Sequence, residues 1–130
     1  MVTGGQKLEW RENLSGSMDS SSQYANTFHC LYEDSGASTP YGCYTNDNSW
    51  RPYFSIGGDS NGTNFLTINL YNPYSTKYTN MEYTFFRYDG TFVHEIGGGL
   101  NWSTTAASGL SIFSSSGSHW TGDYRLYGIK

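Results

Sequence analysis

The sequence predicts an all-β domain, an antiparallel β-sandwich of jelly-roll type with about eight or nine short strands. Aromatic residues make up 18% of the chain and charged residues only 14%, and 12 of the aromatic residues are tyrosines, which favour half-buried pleated surfaces. The 16 glycines, together with many Ser, Thr and Asn residues, supply frequent turns. Runs of alternating polarity recur between these turns, and helix-forming runs are scarce.

The length of 130 residues fits one domain that can bury a core without disulfide staples. Residues 1–6 are small and polar, and we expect them to form an N-terminal arm. We expect residues 7–130 to form a single β-sandwich domain. No internal repeat of solenoid or propeller length is visible.

The first half of the chain predicts four strands separated by polar loops. The segment from Tyr24 to Tyr32 carries a mostly apolar face on alternate residues, whereas the segment around Pro52 suits an edge or a strand start. A long Gly-, Ser- and Asn-rich connection covers residues 33–48, with room for a brief strand only. The predicted strands are Lys7 to Glu12, Tyr24 to Tyr32, Gly42 to Thr45 and Arg51 to Ile56.

The second half predicts a hairpin and ends on a strand. Asp89-Gly90 is a strong hairpin turn, and we expect the triple glycine at 97–99 to break the strand that follows it. Turn residues begin at Asn72-Pro73. The predicted strands are Phe65 to Tyr71, Tyr78 to Tyr88, Thr91 to Ile96, Ser108 to Ser114 and Tyr124 to Lys130, and the predicted core aromatics include Phe65, Tyr83, Phe85, Phe113 and Tyr124.

Charge and hydropathy argue against nucleic acid and membrane as partners. The net charge is −4, and the seven basic residues are scattered, so no basic run is available to neutralise a phosphate backbone. No segment approaches the roughly 20 apolar residues that a membrane-spanning helix requires.

The two cysteines, Cys30 and Cys43, match no metal-binding spacing. We expect both to be reduced, as is usual in a protein made in a reducing cytoplasm, and the alternative is a single intramolecular disulfide.

No motif indicates catalysis, a metal or a cofactor. The three histidines are dispersed, and although His94 and Glu95 are neighbours, adjacent residues of a strand point to opposite faces. No Gly-x-Ser-x-Gly or Ser-x-x-Lys motif marks a nucleophile among the many serines. We therefore expect a non-enzymatic protein.

Aromatic residues in or beside loops are the candidate contact residues for a protein surface or a sugar. Tyr and Trp combine an apolar ring with a polar group and are common at such sites. An ordinary aromatic-rich sandwich with amphipathic side chains at its rim would have a similar sequence. The candidates are Tyr41, Tyr44, Trp50, Tyr74 and Trp120.

The last third of the chain carries a long ordered pattern: a Gly-rich loop, a Trp, Thr-Ala-Ala, an apolar strand, a Ser-Gly turn, an aromatic residue and Gly-x-x-x-Leu-Tyr-Gly-Ile-Lys. In this chain these pieces are Gly97 to Gly99, Trp102, Thr105 to Ala107, Leu110 to Phe113, Ser116-Gly117, Trp120 and Gly122 to Lys130. The pattern resembles bacteriophage virion surface proteins, which include capsid decoration or head proteins and tail-fibre tip domains, some from cyanophages. Those proteins have a β-branched residue after Thr-Ala-Ala, whereas Ser108-Gly109 follows here, so we expect that strand to start with a shift or a bulge.

The resemblance implies a non-enzymatic virion protein that is made in the host cytoplasm and assembles, often as a homotrimer, with other virion proteins. The absence of heptads or a collagen-like shaft favours a capsid decoration or cement protein that stabilises the head by binding the major capsid protein. The alternative is a tail-fibre tip or receptor-binding domain that contacts a tail or fibre protein and recognises a host surface glycan.

Overall fold

The alternating segments of the sequence form β-strands throughout. A computed structural model describes residues 8–32, 41–47, 49–52, 63–88, 92–114 and 123–128, and this part of the chain contains eight strands and no helix. The strands are β1 (Leu8–Leu14), β2 (Ser17–Met18), β3 (Tyr24–Tyr32), β4 (Tyr41–Asp47), β5 (Thr63–Tyr71), β6 (Thr79–Tyr88), β7 (Phe92–Asn101) and β8 (Ala107–Ser114).

The strands form two antiparallel sheets. The smaller sheet has the order β2-β1-β8, and the larger has the order β4-β3-β7-β6-β5. All strand pairs are antiparallel. The predicted all-β class is therefore confirmed, and the two sheets pack in a sandwich-like arrangement.

Two local devices shape the smaller sheet. Ser15 and Gly16 join β1 to β2 with φ angles of 52° and 83°, the left-handed backbone that a two-residue hairpin turn needs. The register between β1 and β8 shifts, because Asn13 lies opposite Gly109 and Leu14 lies opposite Ala107. Ser108 is the extra residue, so the predicted bulge at the start of this strand is confirmed.

The larger sheet contains the predicted hairpin. Strands β6 and β7 pair from Tyr88 opposite Phe92 to Thr79 opposite Asn101, although the Asp89-Gly90 turn itself lies outside the described residues. The predicted strand from Tyr24 to Tyr32 has the same bounds as β3. The predicted turn that begins at Asn72 is also present, and Asn72 adopts a φ of 62°.

The prediction that the triple glycine ends its strand is wrong, because β7 continues through it to Asn101. A Cβ atom at Gly97 would overlap the ring of Tyr83, and one at Gly99 would lie 2.6 Å from Nε1 of Trp50. Aromatic rings from neighbouring segments thus lie directly on the β7 backbone, and glycine allows that approach.

Large aromatic side chains join the two sheets. The ring of Trp10 on β1 meets that of Tyr83 on β6 edge to face with centroids 5.5 Å apart, and Tyr24 and Trp50 make a similar contact at 4.8 Å. The backbone of Trp50 also pairs with that of Trp10 through two hydrogen bonds of 3.0 Å. The core cluster consists of Trp10, Tyr24, Trp50, Met81, Tyr83 and Phe85.

The structure corrects three of the predicted core aromatics. Tyr83 and Phe85 are buried as predicted, whereas Phe113 is only partly buried and does not belong to the core cluster, because it alternates with the inward-facing Ile112 and its ring packs against the Arg11 guanidinium. Phe65 instead lies on the outer face of the larger sheet with 59% of its surface exposed, because it pairs with the outward-facing Phe86. Tyr124 is 86% exposed.

The predicted terminal strand is also corrected. Residues 123–128 belong to no strand, and all six are exposed. The alternation of this segment predicts strand-forming capacity, but a strand also needs a neighbouring strand to pair with, and none of the described strands pairs with this segment. The predicted arm at residues 1–6 and the predicted strand residues 53–56 lie outside the described residues.

Candidate functional site

The outer face of the larger sheet, which points away from the smaller sheet, carries an unusual set of apolar side chains. The register places Phe65 opposite Phe86, Phe86 opposite His94, and His94 opposite Leu31, so these four residues form one row across four strands. We call this row and its neighbours the aromatic patch. It consists of Leu31, Phe65, Phe86, Tyr88, Phe92, His94 and Ile96.

Ring contacts organise the aromatic patch. The rings of Phe86 and His94 stack at 4.2 Å with an interplanar angle of 6°, and Phe86 also lies 6.4 Å from Phe65 and 6.1 Å from Phe92. Directly opposed aromatic pairs stabilise antiparallel strands. Even so, Leu31, Phe65 and Ile96 are each more than half exposed, so water contacts much of this apolar surface. Contiguous apolar surface of this kind commonly marks a binding site.

The opposite end of the same face contains a shallow open groove with a volume of about 380 Å³. Its floor includes Gly98, where the absence of a side chain lowers the surface between neighbouring strands. Tyr71, Asn80 and Glu82 line one side of it. The remaining lining residues are Ala25, Thr27, Met81, Gly99 and Leu100. We call this feature the Gly98 groove.

Hydrogen bonds fix two polar groups of the Gly98 groove. The hydroxyl of Tyr71 donates to Oε2 of Glu82 at 2.9 Å, and this bond to the carboxylate raises the pKa of Tyr71. The hydroxyl of Thr27 donates to the carbonyl of Gly98 at 3.2 Å. The groove thus combines an aromatic ring, a carboxylate, an amide and a hydroxyl on one rigid sheet.

Buried carboxylates lie between the sheets instead of on this face. Asn101 Nδ2 donates to Oε2 of Glu12 at 2.6 Å and so links β7 to β1. Burial raises the pKa of Glu12, the side-chain hydrogen bonds from Thr79 and Asn101 oppose that shift, and the charge of Asp19 adds to it. Both Glu12 and Asn101 are fully buried, and a substrate cannot reach them without opening the core.

A second buried carboxylate, Glu95, accepts a hydrogen bond from the hydroxyl of Tyr83. Burial raises the pKa of the nearby Cys30 thiol, and the Glu95 carboxylate raises it further. His94 and Glu95 point to opposite faces of β7, as the sequence predicts for strand neighbours. The Glu12 carboxylate therefore links the two sheets, and the Glu95 carboxylate links β6 to β7 within the larger sheet.

The sequence-predicted contact residues do not form one site. Trp50 is fully buried in the core and offers no surface to a partner, because its ring packs against Tyr24 and the β7 backbone. Tyr74 is 78% exposed in the turn between β5 and β6. The side chains of Tyr41 and Tyr44, and the whole of Trp120, lie outside the described residues.

The thiol of Cys30 is free and buried. The register places Cys43 opposite Thr27, three residues along β3 from Cys30, which separates the two backbone positions by roughly 10 Å. A disulfide requires Cα atoms closer than about 7 Å, so the alternative of an intramolecular disulfide is excluded by the pairing.

Within the described ranges, no group of three or more His, Cys, Asp or Glu side chains is placed to hold a metal ion. The same part of the chain contains no helix long and apolar enough to cross a membrane. Comparison of the chain with protein-family models, curated proteins and solved structures finds no match.

Sequence reasoning missed the aromatic patch. Its signal lies in the second face of each strand, where Phe86, Phe92, His94 and Ile96 alternate with the buried residues. A sequence that is apolar on both faces of a strand predicts that other elements cover both faces of its sheet. Only the strand order shows that the second face meets no other sheet among the described strands.

Proposed function

We propose that this chain is a non-enzymatic structural protein of a bacteriophage virion, displayed on the outside of the particle. In this proposal it is made in the host cytoplasm and decorates the capsid as a cement protein that stabilises the head. The observation that carries the proposal is the aromatic patch, an apolar row across four strands on an outward face. The ordered pattern from Gly97 to Lys130 supports the choice of a virion as the assembly.

The aromatic patch suits a protein partner better than a small ligand. Its side chains lie on a nearly continuous sheet surface, and neighbouring strands hold them in fixed positions. A second protein that covers this surface would remove apolar area from water, at roughly 25 cal/mol for each Å². We propose the major capsid protein as the partner and a homotrimer as the assembled form.

Electron microscopy of particles made with and without this chain tests the proposal. We expect density for the protein on the head surface, and we expect heads that lack it to rupture at a lower temperature. Heads that stay full and equally stable, together with loss of density from the fibres, would contradict the assignment to the capsid.

The alternative function is recognition of a host surface glycan by a tail-fibre tip domain that is attached to a tail or fibre protein, and the Gly98 groove favours it. Sugar sites pair an aromatic ring with carboxylate and amide groups that bond to hydroxyls, and Tyr71, Glu82 and Asn80 offer these groups in one depression. Binding here would use the sheet face, not the loops.

A glycan array with the purified protein tests this alternative. Selective binding that falls at least tenfold in Tyr71→Ala and Glu82→Gln would support it. Tyr78→Ala is the matched control, because Tyr78 is also about half exposed but does not line the groove. No selective binding on the array, or an equal loss of binding in Tyr78→Ala, would contradict this alternative.

The jelly-roll path of the chain remains a prediction. It depends on the paths of residues 33–40, 53–62 and 115–122, which lie outside the described residues. An experimental density map that traces these connections would test it.

A further inference from the structure

The two sheets differ in width, and the difference exposes one side of the core. Three strands of the smaller sheet face five strands of the larger one. Trp50, on one edge of β1, contacts Tyr24 of β3, whereas Trp10 of β1 reaches Tyr83 of β6. The opposite edge of β1, which β8 occupies, therefore lies toward β5. Both β8 and β5 are edges among the described strands.

Core-facing residues on this side are incompletely covered. Ile112 lies opposite the buried Trp10 and so points inward, yet 38% of its surface is exposed. Leu66, Ile68 and Leu70 on β5 face the core and are only partly buried. Inward apolar residues of a finished sandwich are normally covered by the facing sheet. We call the space beside β8 and over β5 the open slot.

The chain also contains a segment with the alternating apolar side chains of a strand that could cover the open slot. In residues 123–128, Tyr124 and Leu126 alternate with Arg125 and Tyr127, which is the pattern of a half-buried strand. Leu126 is 92% exposed and Tyr127 is 75% exposed. None of the described strands pairs with the backbone of this segment or covers its apolar side chains.

We propose that the segment 123–128 of one copy adds as a strand beside β8 of a second copy and fills its open slot. Backbone hydrogen bonds to the β8 edge between Ala107, whose N–H already donates to the Pro73 carbonyl, and Ser114 supply affinity, and Tyr124 and Leu126 cover Ile112 and the β5 leucines. We assign the donor to a second copy because, among the described residues of a single chain, the segment 123–128 is exposed and no strand pairs with the edge of β8 or of β5 that borders the slot. This self-association goes beyond the proposed virion role and does not depend on it.

A complementation experiment with purified protein tests the proposal by sedimentation velocity over a range of concentrations. The wild-type chain is expected to associate. Leu126→Glu damages the donor and Ile112→Lys damages the slot, and each variant alone is expected to associate at least tenfold more weakly. An equimolar mixture of the two is expected to recover association, because the first retains an intact slot and the second an intact donor.

The matched control is Met18→Glu, which places the same charge on an exposed apolar residue of β2, at the edge of the smaller sheet opposite β8, and is expected to associate as the wild type does. Near-ultraviolet circular dichroism checks that each variant is folded, and Ile112→Thr replaces the lysine variant if that one unfolds. A monomeric wild-type chain, unchanged association of Leu126→Glu, or failure of the mixture to recover would each overturn the proposal. A monomer in which hydrogen exchange protects residues 123–128 would show that the slot belongs to the same chain. None of these results bears on whether the protein is found on a virion.

Discussion

Proteins usually bury apolar side chains and expose charged ones. Here the interior between the two sheets contains carboxylates, and the outer face of the larger sheet exposes apolar side chains. The interior holds buried carboxylates, Glu12 and Glu95, among large aromatic rings, whereas the outer face exposes Phe65, Leu31 and Ile96. Buried charge is costly unless hydrogen bonds compensate it, and exposed apolar area gains nothing in an isolated chain. The difference indicates that the interior specifies the fold, and it supports the proposal that the outer face binds a partner.

The polar interior has a direct structural consequence. The hydrogen bond from Asn101 to Glu12 crosses from one sheet to the other, and that from Tyr83 to Glu95 joins two strands of the larger sheet. These bonds are directional, unlike apolar contacts, so they favour one register of β7 against its neighbours. Substitutions inside should therefore change stability, and substitutions outside should change binding.

The largest expected effect is at the glycines of β7. Gly97→Ala places a methyl group against the Tyr83 ring and the Thr27 carbonyl, and we expect it to lower the free energy of unfolding by about 3 kcal/mol or more. Gly98→Ala is the matched control, because its Cβ atom would lie 3.2 Å from the nearest atom, and we expect a loss below about 1 kcal/mol. Urea denaturation measures both values. Equal losses would show that the aromatic rings do not constrain this strand.

Removing one buried hydroxyl should have the next largest effect. Tyr83→Phe keeps the ring in the core but removes the hydrogen bond that the buried Glu95 carboxylate accepts. We expect a loss of about 2 kcal/mol, the usual cost when a buried charged acceptor loses a donor. Tyr71→Phe, which removes an exposed hydroxyl with a carboxylate partner, serves as control and should leave stability nearly unchanged in the same assay, because water screens that interaction.

The pH dependence of stability should report the buried Glu12. Its pKa in the folded protein is raised above the ordinary 4.5, so the unfolded chain releases this proton at a lower pH than the folded protein does. The contribution to stability is therefore complete below pH 4.5 and is lost as the pH rises through the raised pKa. One such group changes the free energy of unfolding by at most about 1.4 kcal/mol per pH unit.

Glu12→Gln keeps an oxygen that can accept from Asn101 and cannot ionise. The difference between wild-type and Glu12→Gln unfolding free energies, measured from pH 4 to 8, should favour the variant increasingly above about pH 4.5. A difference that does not change with pH would mean that the Glu12 carboxyl titrates alike in folded and unfolded chains.

The smallest expected effect on stability is on the outer face. Phe65→Thr retains strand propensity and removes an aromatic ring that is mostly in water, so we expect the free energy of unfolding to change by only about 0.5 kcal/mol. Phe85→Thr, at a buried position of the adjacent strand, is the comparison and should lose about 3 kcal/mol or more. Thermal melting of the two variants side by side would reveal whether the faces differ as expected.

The sequence predicts the strands better than it predicts what covers them. Local alternation was sufficient for β3, for most of β5 and for the pairing of β6 with β7, because side-chain direction in a strand depends only on its own residues. The continuation of β7 through Gly97 and Gly99 was not predictable locally. The need for glycine there is imposed by Tyr83 and Trp50, which belong to other segments.

The prediction of contact and core residues was less accurate, because burial and side-chain direction at these positions depend on residues that are distant in sequence. Trp50 follows a loop-rich stretch, and its burial depends on a backbone pairing with Trp10 that lies 40 positions away. Phe65 has the composition of a core residue, yet the register with Phe86 turns it outward. The buried position of Glu12 likewise depends on Asn101, which no local pattern connects with it.

The contrast between interior and outer face is tested most directly by a paired measurement on one variant. The variant combines three substitutions on the outer face: Leu31→Thr, Phe65→Thr and Ile96→Thr. Its free energy of unfolding is measured, and its binding is measured by cosedimentation with phage heads that lack this protein. We expect head binding to weaken at least tenfold while stability changes by no more than about 1.5 kcal/mol. Unchanged binding, or loss of binding only because the variant unfolds, would contradict the assignment of this face to a partner.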